Sequence, residues 1–166
     1  MIEVRHIKIE DAEKYMNLYS KLDDQTDFRL YEPNERKISI SQQIKEIESL
    51  IGNDNSTIIV AQDGDLLVGY LSAYGRGQAR IKHIVNIGIA ILQSHSRQGI
   101  GTMLFEEVEA WARKHNKHRL ELTVMENNPN AYGLYRKMGF EVEGLKKDSM
   151  FIDGKYINDI YMSKLI

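Results

Sequence analysis

A glycine-rich turn between a hydrophobic strand and a helix is the segment of this sequence best suited to bind a phosphate group. It contains Gly99, Ile100 and Gly101, and Arg97 stands two residues before the first glycine. The first turn of a helix carries backbone N–H groups without intrahelical partners, and the helix dipole adds positive potential there. Glycines let an anion approach this backbone closely, and an arginine adds a fixed positive charge. The turn therefore predicts a phosphate site, although the same residues also suit a tight turn that binds nothing.

Two widespread phosphate-binding motifs can be compared with this turn. The P-loop requires a Gly-Lys-Ser/Thr ending, which this sequence lacks. The dinucleotide fingerprint requires a third glycine, where Leu104 stands, and a later acidic residue, for which Glu121 is suitably spaced. A nicotinamide-dependent enzyme therefore remains an alternative on these residues alone.

A second pattern lies at residues 128–140. It contains, in fixed order, Asn128, Ala131, Leu134, Tyr135, Lys137, Gly139 and Phe140. Together with the glycine turn, it resembles the GNAT superfamily of acetyl-CoA-dependent N-acetyltransferases. The family's second motif, Asn-x-x-Ala-x-x-Leu-Tyr-x-Lys-x-Gly-Phe, is matched at every specified position. Its first motif, Arg/Gln-x-x-Gly-x-Gly/Ala, is matched at both glycines, but Ser96 occupies its first position.

The resemblance implies that acetyl-CoA is the acetyl donor and that no metal is involved. The pyrophosphate would lie on the glycine turn, and the pantetheine arm would pair with the preceding strand as another strand would. Asn128 matches a family position close to the cofactor, and it also suits the cap of its own helix. The cofactor-binding residues implied are Ile89, Ala90, Ile91, Arg97, Gln98, Gly99, Ile100, Gly101, Thr102 and Asn128.

Acyl transfer also needs a proton donor for the departing thiolate. The family places a general-acid tyrosine at the position of Tyr135, and a phenol with an ordinary pKa of about 10 can donate a proton at neutral pH. Tyr135 shares a helical stripe with Ala131 and Leu134, so the residues alone also fit an aromatic side chain in the core. Tyr132, one turn away, is the alternative donor.

A base must take a proton from the acceptor amine. The positions that match the family's basic glutamates hold Val85 and Thr123. His83 and Glu121 stand two residues before them, on the same strand faces, and are the predicted catalytic bases. Glu32 is a third candidate, and a chain of water molecules is the alternative to all three.

Hydrophobic period and turn signals predict the elements that position these residues. Strands are predicted at 2–9, 56–62, 65–74, 80–92, 119–125, 140–144 and 149–164, with turns at Asp63-Gly64 and, inside the last strand, Asp153-Gly154. Helices are predicted after Asp11, which would cap the first of them, from Ser39 or Ser41 to Gly52, at 99–116 and at 128–137, with a loop at 23–38. This order predicts a single α/β domain over residues 1–166, with helices on both faces of one mixed sheet. The resemblance makes it the GNAT fold, whose sheet is mostly antiparallel.

Composition restricts the chemistry and the partners. The absence of cysteine excludes disulfides, thiolate metal sites and a cysteine nucleophile. A formal charge of −2 gives no electrostatic reason to expect nucleic acid. Neither a signal peptide nor a membrane-spanning run is recognisable, so a cytoplasmic protein without a membrane partner is expected. The resemblance is compatible with a homodimer.

These features predict an N-acetyltransferase that moves an acetyl group from acetyl-CoA to a primary amine of a small molecule or a protein. Transfer would be direct, within a ternary complex. The acceptor is expected to enter over the loop at 23–38 and the last hairpin, near 148–158. A non-catalytic acyl-CoA sensor, which would keep the glycine turn but not need Tyr135, is the second interpretation.

Overall fold

The helices and strands follow the changes of hydrophobic period along the chain. The computed structural model describes all 166 residues. Its strands are β1 (Ile2–His6), β2 (Thr57–Asp63), β3 (Leu66–Gly75), β4 (Ile84–Ile91), β5 (Arg119–Met125), β6 (Glu141–Ile152) and β7 (Lys155–Leu165). Its helices are α1 (Ala12–Gln25), α2 (Ile40–Ile51), α3 (Ile100–Lys114) and α4 (Pro129–Lys137).

The seven strands form one mixed sheet in the order β1-β2-β3-β4-β5-β7-β6. Every neighbouring pair is antiparallel except β4 and β5, which are parallel. That parallel pairing covers only Ile84–Asn86 of β4 and Arg119–Glu121 of β5, and the remainder of β4 has no partner on that side. The predicted mixed, mostly antiparallel sheet is confirmed. A doubly wound parallel sheet, which a dinucleotide fold of this kind would have, is not present.

Helices cover both faces of this sheet, as predicted. On one face, the rings of Tyr15 and Tyr19 in α1 contact Tyr70 of β3 edge to face or tilted, with centroids 5.5 and 4.9 Å away. Tyr70 is paired with Ala90, so the side chain of Ile91, the next residue of β4, points to the opposite face. An ideal Cβ on Gly101 of α3 would lie 3.6 Å from Ile91 Cδ1, which places α3 on that second face.

Local signals explain several boundaries. Ser39 opens α2 by accepting a hydrogen bond from the amide of Gln42, whose side chain binds back to Ser39 N in a capping box. Asn128 opens α4 by accepting from the amide of Ala131 at 3.2 Å, with Pro129 at the first helical position. Both helix starts are confirmed.

Three predicted details were wrong. The helix before the predicted loop continues to Gln25, so the loop begins at Thr26. Asp11 stands at the N-cap of α1 without capping it, because its carboxylate is held by Arg5 and by the amide of Lys8. The predicted break between the last two strands is a bulge inside β6, and Asp153-Gly154, with φ angles of 51° and 74°, is the turn between β6 and β7.

No helix combines the length and the apolar character that crossing a membrane requires.

Candidate active site

The backbone of the turn between β4 and α3 leaves donors open at the start of the helix. Arg97 and Gly99 have positive φ angles, 61° and 81°. Gly99 is the N-cap of α3 and offers no side-chain acceptor, so the amides of residues 100–102 are not capped. Met103 is the first residue of α3 whose amide has a helical acceptor, and it donates to the carbonyl of Gly99 at 3.1 Å. Open amides and the positive end of the α3 dipole therefore meet at this turn, as an anion site requires.

The two glycines of the turn serve different purposes. Gly99 has the left-handed backbone that favours glycine, and a Cβ there would meet no atom within 4 Å. A Cβ on Gly101 would lie 2.7 Å from Cδ2 of Leu134 in α4. Gly99 therefore shapes the turn and leaves open space beside it, whereas Gly101 allows α3 and α4 to pack closely.

A cavity of about 550 Å³ lies against this turn, and we call it the turn cavity. It is bounded by β4, by the first turn of α3 and by α4. Its lining residues are Ile89, Ala90, Ile91, His95, Ser96, Arg97, Gly99, Ile100, Gly101, Thr102, Asn130, Ala131, Leu134, Tyr135 and Lys137. Eight of the ten predicted cofactor-binding residues are in this set.

The other two predicted cofactor-binding residues lie elsewhere. Gln98 turns its side-chain amide back to the carbonyl of Ser94, at 3.3 Å, and does not line the turn cavity. Asn128 lines the neighbouring cavity described below, and its carboxamide oxygen is occupied as the cap of α4.

Lys137 is a cation of the turn cavity that was not predicted to bind the cofactor. Its Nζ lies 3.4 Å from Thr102 Oγ1, at the start of α3. Lys137 belongs to the second sequence motif, where its spacing gave a family match but no role. With Arg97 and the α3 N-terminus, it gives this cavity a positive lining suited to phosphates.

A second cavity, also of about 550 Å³, lies beneath the loop 26–39, and we call it the loop cavity. Its floor includes the part of β4 that has parted from β5, and its wall includes residues 123–125 of β5. The residues that line both cavities are Ile89, Ala90, Ile91, Ala131 and Tyr135. The two cavities are therefore adjacent, and Tyr135 lies where they meet.

Tyr135 is held firmly while its hydroxyl stays free of protein partners. Its ring contacts Phe105 and Phe140, with centroids 5.8 and 6.2 Å away, and only 7% of the residue is exposed. The hydroxyl makes no hydrogen bond within the protein. Burial, with a smaller contribution from Tyr70, raises the pKa of the Tyr135 phenol. The phenol therefore stays protonated at neutral pH and can act as a proton donor.

Two arginines and one aspartate form an unbalanced charge cluster over the loop cavity. Arg29 Nε lies 2.6 Å from Asp23 Oδ1, and its Nη1 donates to the hydroxyl of Tyr70 at 3.0 Å. Arg36 Nε lies 3.5 Å from the other carboxylate oxygen of Asp23 but makes no hydrogen bond. The Arg36 guanidinium lies over the ring of Tyr19, at 4.0 Å. One carboxylate therefore faces two guanidinium groups, which leaves a net positive charge at this wall.

An acidic residue of the loop cavity was also missed by sequence reasoning. Asp159 of β7 is 9% exposed and lines this cavity together with Tyr135. It accepts a hydrogen bond from Ser149 in the β6 bulge, at 2.5 Å. No local sequence pattern marked it, because it reaches the cavity only through the pairing of β7 with β5.

The predicted bases lie at the paired end of β4 and β5. His83 precedes β4, its carbonyl accepts from the amides of His118 and Arg119, and it lines neither cavity. Six residues of strand, or about 20 Å, separate it from Ile89. Glu121 is paired with Arg119 at 2.9 Å and also lines neither cavity. The structure does not bring these two side chains together with Tyr135.

The two remaining alternatives also lie outside both cavities. Glu32 is exposed in the loop 26–39, where its amide is bound by the side chain of Glu35 at 2.7 Å. Tyr132 is half-buried and lines neither the turn cavity nor the loop cavity.

Comparison with known proteins identifies a family model and several relatives. The model of the acetyltransferase (GNAT) family matches residues 16–140. L-amino acid N-acetyltransferase AaaT of Escherichia coli is 30% identical over 112 residues, which cover 65% of this chain and 67% of that protein.

Solved structures agree with this match. A GNAT-family acetyltransferase from Streptococcus pneumoniae superimposes with a TM-score of 0.96 at 26% identity, over 100% of both chains. The phosphinothricin acetyltransferase of Sinorhizobium meliloti, solved in complex with acetyl-CoA, superimposes with a TM-score of 0.85 at 20% identity. That alignment covers 99% of this chain and 88% of that one. At such identity, the second match shows a shared fold.

Proposed function

This chain belongs to the acetyltransferase (GNAT) family, and from that premise we propose that it transfers an acetyl group directly from acetyl-CoA to the amine of a small molecule. Family membership makes it an acetyl-CoA-dependent N-acetyltransferase. The proposal adds the path of the reaction and the kind of acceptor. One observation carries it: the turn cavity and the loop cavity meet at Tyr135.

The turn cavity is proposed to hold acetyl-CoA. The open amides of residues 100–102, with Arg97 and Lys137, suit the two phosphates of the donor. From residue 87 to residue 91, the edge of β4 that faces away from β3 has no strand partner, and it offers hydrogen-bonding groups to the amides of the pantetheine arm. A donor lying along β4 in this way would bring its thioester to the shared residues.

Tyr135 is proposed to protonate the departing sulfur. Its phenol lines both cavities, has no competing hydrogen bond, and has a pKa raised by burial. A group that stays protonated is an acid rather than a base, so the phenol suits the leaving thiolate and not the incoming amine. A backbone N–H of Ile89–Ile91 is proposed to stabilise the developing oxyanion.

The loop cavity is proposed to hold the acceptor, and the acceptor is proposed to carry a carboxylate, as an amino acid does. Arg29 and Arg36 share the single carboxylate of Asp23, so one guanidinium is available to an anionic ligand. Arginine presents a planar set of donors that matches a carboxylate in two-point geometry. The name of the E. coli relative, an L-amino acid N-acetyltransferase, supports the same acceptor class.

An acceptor screen tests this proposal. The purified chain is mixed with acetyl-CoA and a panel of L-amino acids, the corresponding amides and the corresponding amines without a carboxylate, and free thiol is measured. We expect thiol release that depends on the amine and is fastest with acceptors that carry a carboxylate. A chain that binds acetyl-CoA, as seen by thermal shift, but releases no thiol with any amine would favour the sensor interpretation instead.

A further inference from the structure

The β6–β7 hairpin places a buried carboxylate in the loop cavity. Asp159 lies opposite Met125 of β5 and Lys146 of β6 in the strand register. The register of β6 shifts between Lys146 and Met150, where Asp148 has a φ of 49°. This bulge turns Ser149 toward Asp159, and its hydroxyl donates to Asp159 Oδ2 at 2.5 Å. Bulges of this kind often redirect a side chain beside an active site.

Asp159 has no cationic partner in the protein. It is 9% exposed, and no lysine, arginine or histidine nitrogen lies within 4 Å of its carboxylate. Ser149 is its one hydrogen-bond donor and binds Oδ2, so Oδ1 is open to the cavity and accepts no hydrogen bond from the protein. A carboxylate that is mostly buried needs a neighbouring positive charge to offset the hydration it has lost. The buried aspartates elsewhere meet this requirement, since Asp11 pairs with Arg5 and Asp23 with Arg29.

We propose that Asp159 binds the ammonium group of the acceptor and takes a proton from its nitrogen during transfer. A ligand of the loop cavity can supply this charge, and the same cavity contains Tyr135. This inference rests on the proposed function, because it places the amine of the acceptor at the residue that serves the thioester. It assigns the base role to Asp159 rather than to His83 or Glu121.

The protons balance in this scheme. The bound ammonium first loses one proton to solvent through the open cavity. Its nitrogen then forms the N–C bond to the thioester carbon, and the C–S bond breaks. A second proton passes from nitrogen to the Asp159 carboxylate, while the sulfur takes the phenolic proton of Tyr135. Asp159 then loses its proton and Tyr135 regains one by exchange with solvent.

Three variants test the inference by steady-state kinetics. For Asp159→Asn we expect kcat/KM for the amine to fall by about 30-fold or more, which corresponds to about 2 kcal/mol. The KM for acetyl-CoA should stay unchanged. Ser149→Ala removes the bulge hydrogen bond but keeps the carboxylate, so its loss should be much smaller. Asp65→Asn, in the exposed turn between β2 and β3 and outside both cavities, is the matched control and should behave as the wild type.

Two kinetic outcomes would overturn the inference. One is an Asp159→Asn protein with wild-type kcat/KM for the amine. The other is a Ser149→Ala protein as impaired as Asp159→Asn, because this would show that Asp159 only holds the bulge.

A binding measurement on the wild type tests the inference even if Asp159→Asn does not fold. The protein is saturated with CoA, which cannot donate acetyl, and titrated calorimetrically with the best amine of the screen and with the alcohol in which hydroxyl replaces that amine. We expect the amine to bind more tightly, and equal affinities would overturn the inference. If the screen yields no substrate, the proposed function fails. The cation site is then tested by the same titration with n-butylamine and n-butanol.

Discussion

Gly101 of α3 and Leu134 of α4 are in such close contact that a Cβ on Gly101 would lie 2.7 Å from Leu134 Cδ2. Real Cβ atoms essentially never approach another heavy atom this closely. The contact joins the helix that begins at the glycine turn to the helix that carries Tyr135. The two sequence motifs are therefore in direct contact, and a side chain at position 101 would press on the helix that carries the phenol.

Gly101→Ala should weaken both the fold and donor binding. The added methyl group forces Leu134 or α4 to shift, and overpacking of this kind typically lowers the free energy of unfolding by about 1–3 kcal/mol. Because α4 lines the turn cavity, we expect the KM for acetyl-CoA to rise. Thermal unfolding and acetyl-CoA titrations measure the two effects.

Gly133→Ala is the matched control for this substitution. Gly133 lies in α4, and a Cβ there would meet no atom within 4 Å. Replacing a helical glycine by alanine should raise the free energy of unfolding by about 0.5–1 kcal/mol and leave the KM unchanged. If both alanine variants behave alike, the contact between Gly101 and Leu134 does not couple the motifs.

The geometry of the proposed donor side is largely predictable from the sequence because it is local. The glycine turn and the first turn of α3 are consecutive in the chain, and the backbone of a helix start dictates what they can bind. Tyr135 likewise lies in a continuous helical segment. Each of these residues is positioned by neighbours a few places away in the chain.

The proposed acceptor side is assembled from distant segments, and no local pattern reveals it. Arg29 and Arg36 lie in a loop without hydrophobic period, and Asp159 enters through the pairing of β7 with β5. The prediction of His83 and Glu121 used the alternation of strand faces, which fixes the side of the sheet but not the position along it. Tertiary packing decides where β4 and β5 separate. Both residues lie near the end of these strands that is still paired.

Asp11→Asn should lower stability at neutral pH and have little effect in acid. Burial acts to raise the pKa of Asp11, but hydrogen bonds from Arg5 and from the amide of Lys8 outweigh it and lower the pKa. A lowered folded-state pKa contributes stability above the unfolded value of about 3.9, and this is lost as pH falls through the folded value. We expect a difference of about 2 kcal/mol at pH 7, measured by urea unfolding.

The comparison of Asp11→Asn with Asp65→Asn isolates the buried pair. Asp65 is fully exposed, and its ion pair with Lys14 is 3.9 Å long, so Asp65→Asn should leave the free energy of unfolding almost unchanged. A stability difference for Asp11→Asn that persists unchanged at pH 2 would contradict the assignment to a charged pair.

Arg36→Met should distinguish acceptors with a carboxylate from those without one. Methionine keeps the apolar contact over Tyr19 but removes the charge that Asp23 only partly neutralises. A charge-assisted hydrogen bond is worth about 1.5–3 kcal/mol, so the KM for an amino acid should rise by about 10- to 150-fold. The KM for the same acceptor without its carboxylate should change little. Equal changes of KM for both acceptors would contradict the proposal that Arg36 binds a carboxylate of the acceptor. Arg80 is exposed, and Arg80→Met serves as the control.

Tyr135→Phe should leave the protein folded and able to bind acetyl-CoA but slow in acetyl transfer. The hydroxyl makes no hydrogen bond within the protein, so its removal leaves the contacts of the ring with Phe105 and Phe140 intact. Loss of a general acid lowers kcat by about 10²- to 10⁴-fold. Because burial raises the pKa of this phenol, the wild-type rate should not decline up to about pH 10, the ordinary value of tyrosine. Tyr132→Phe, one turn away, is the control and should keep the wild-type kcat. A Tyr135→Phe protein with undiminished thiol release would exclude the phenol as the proton donor.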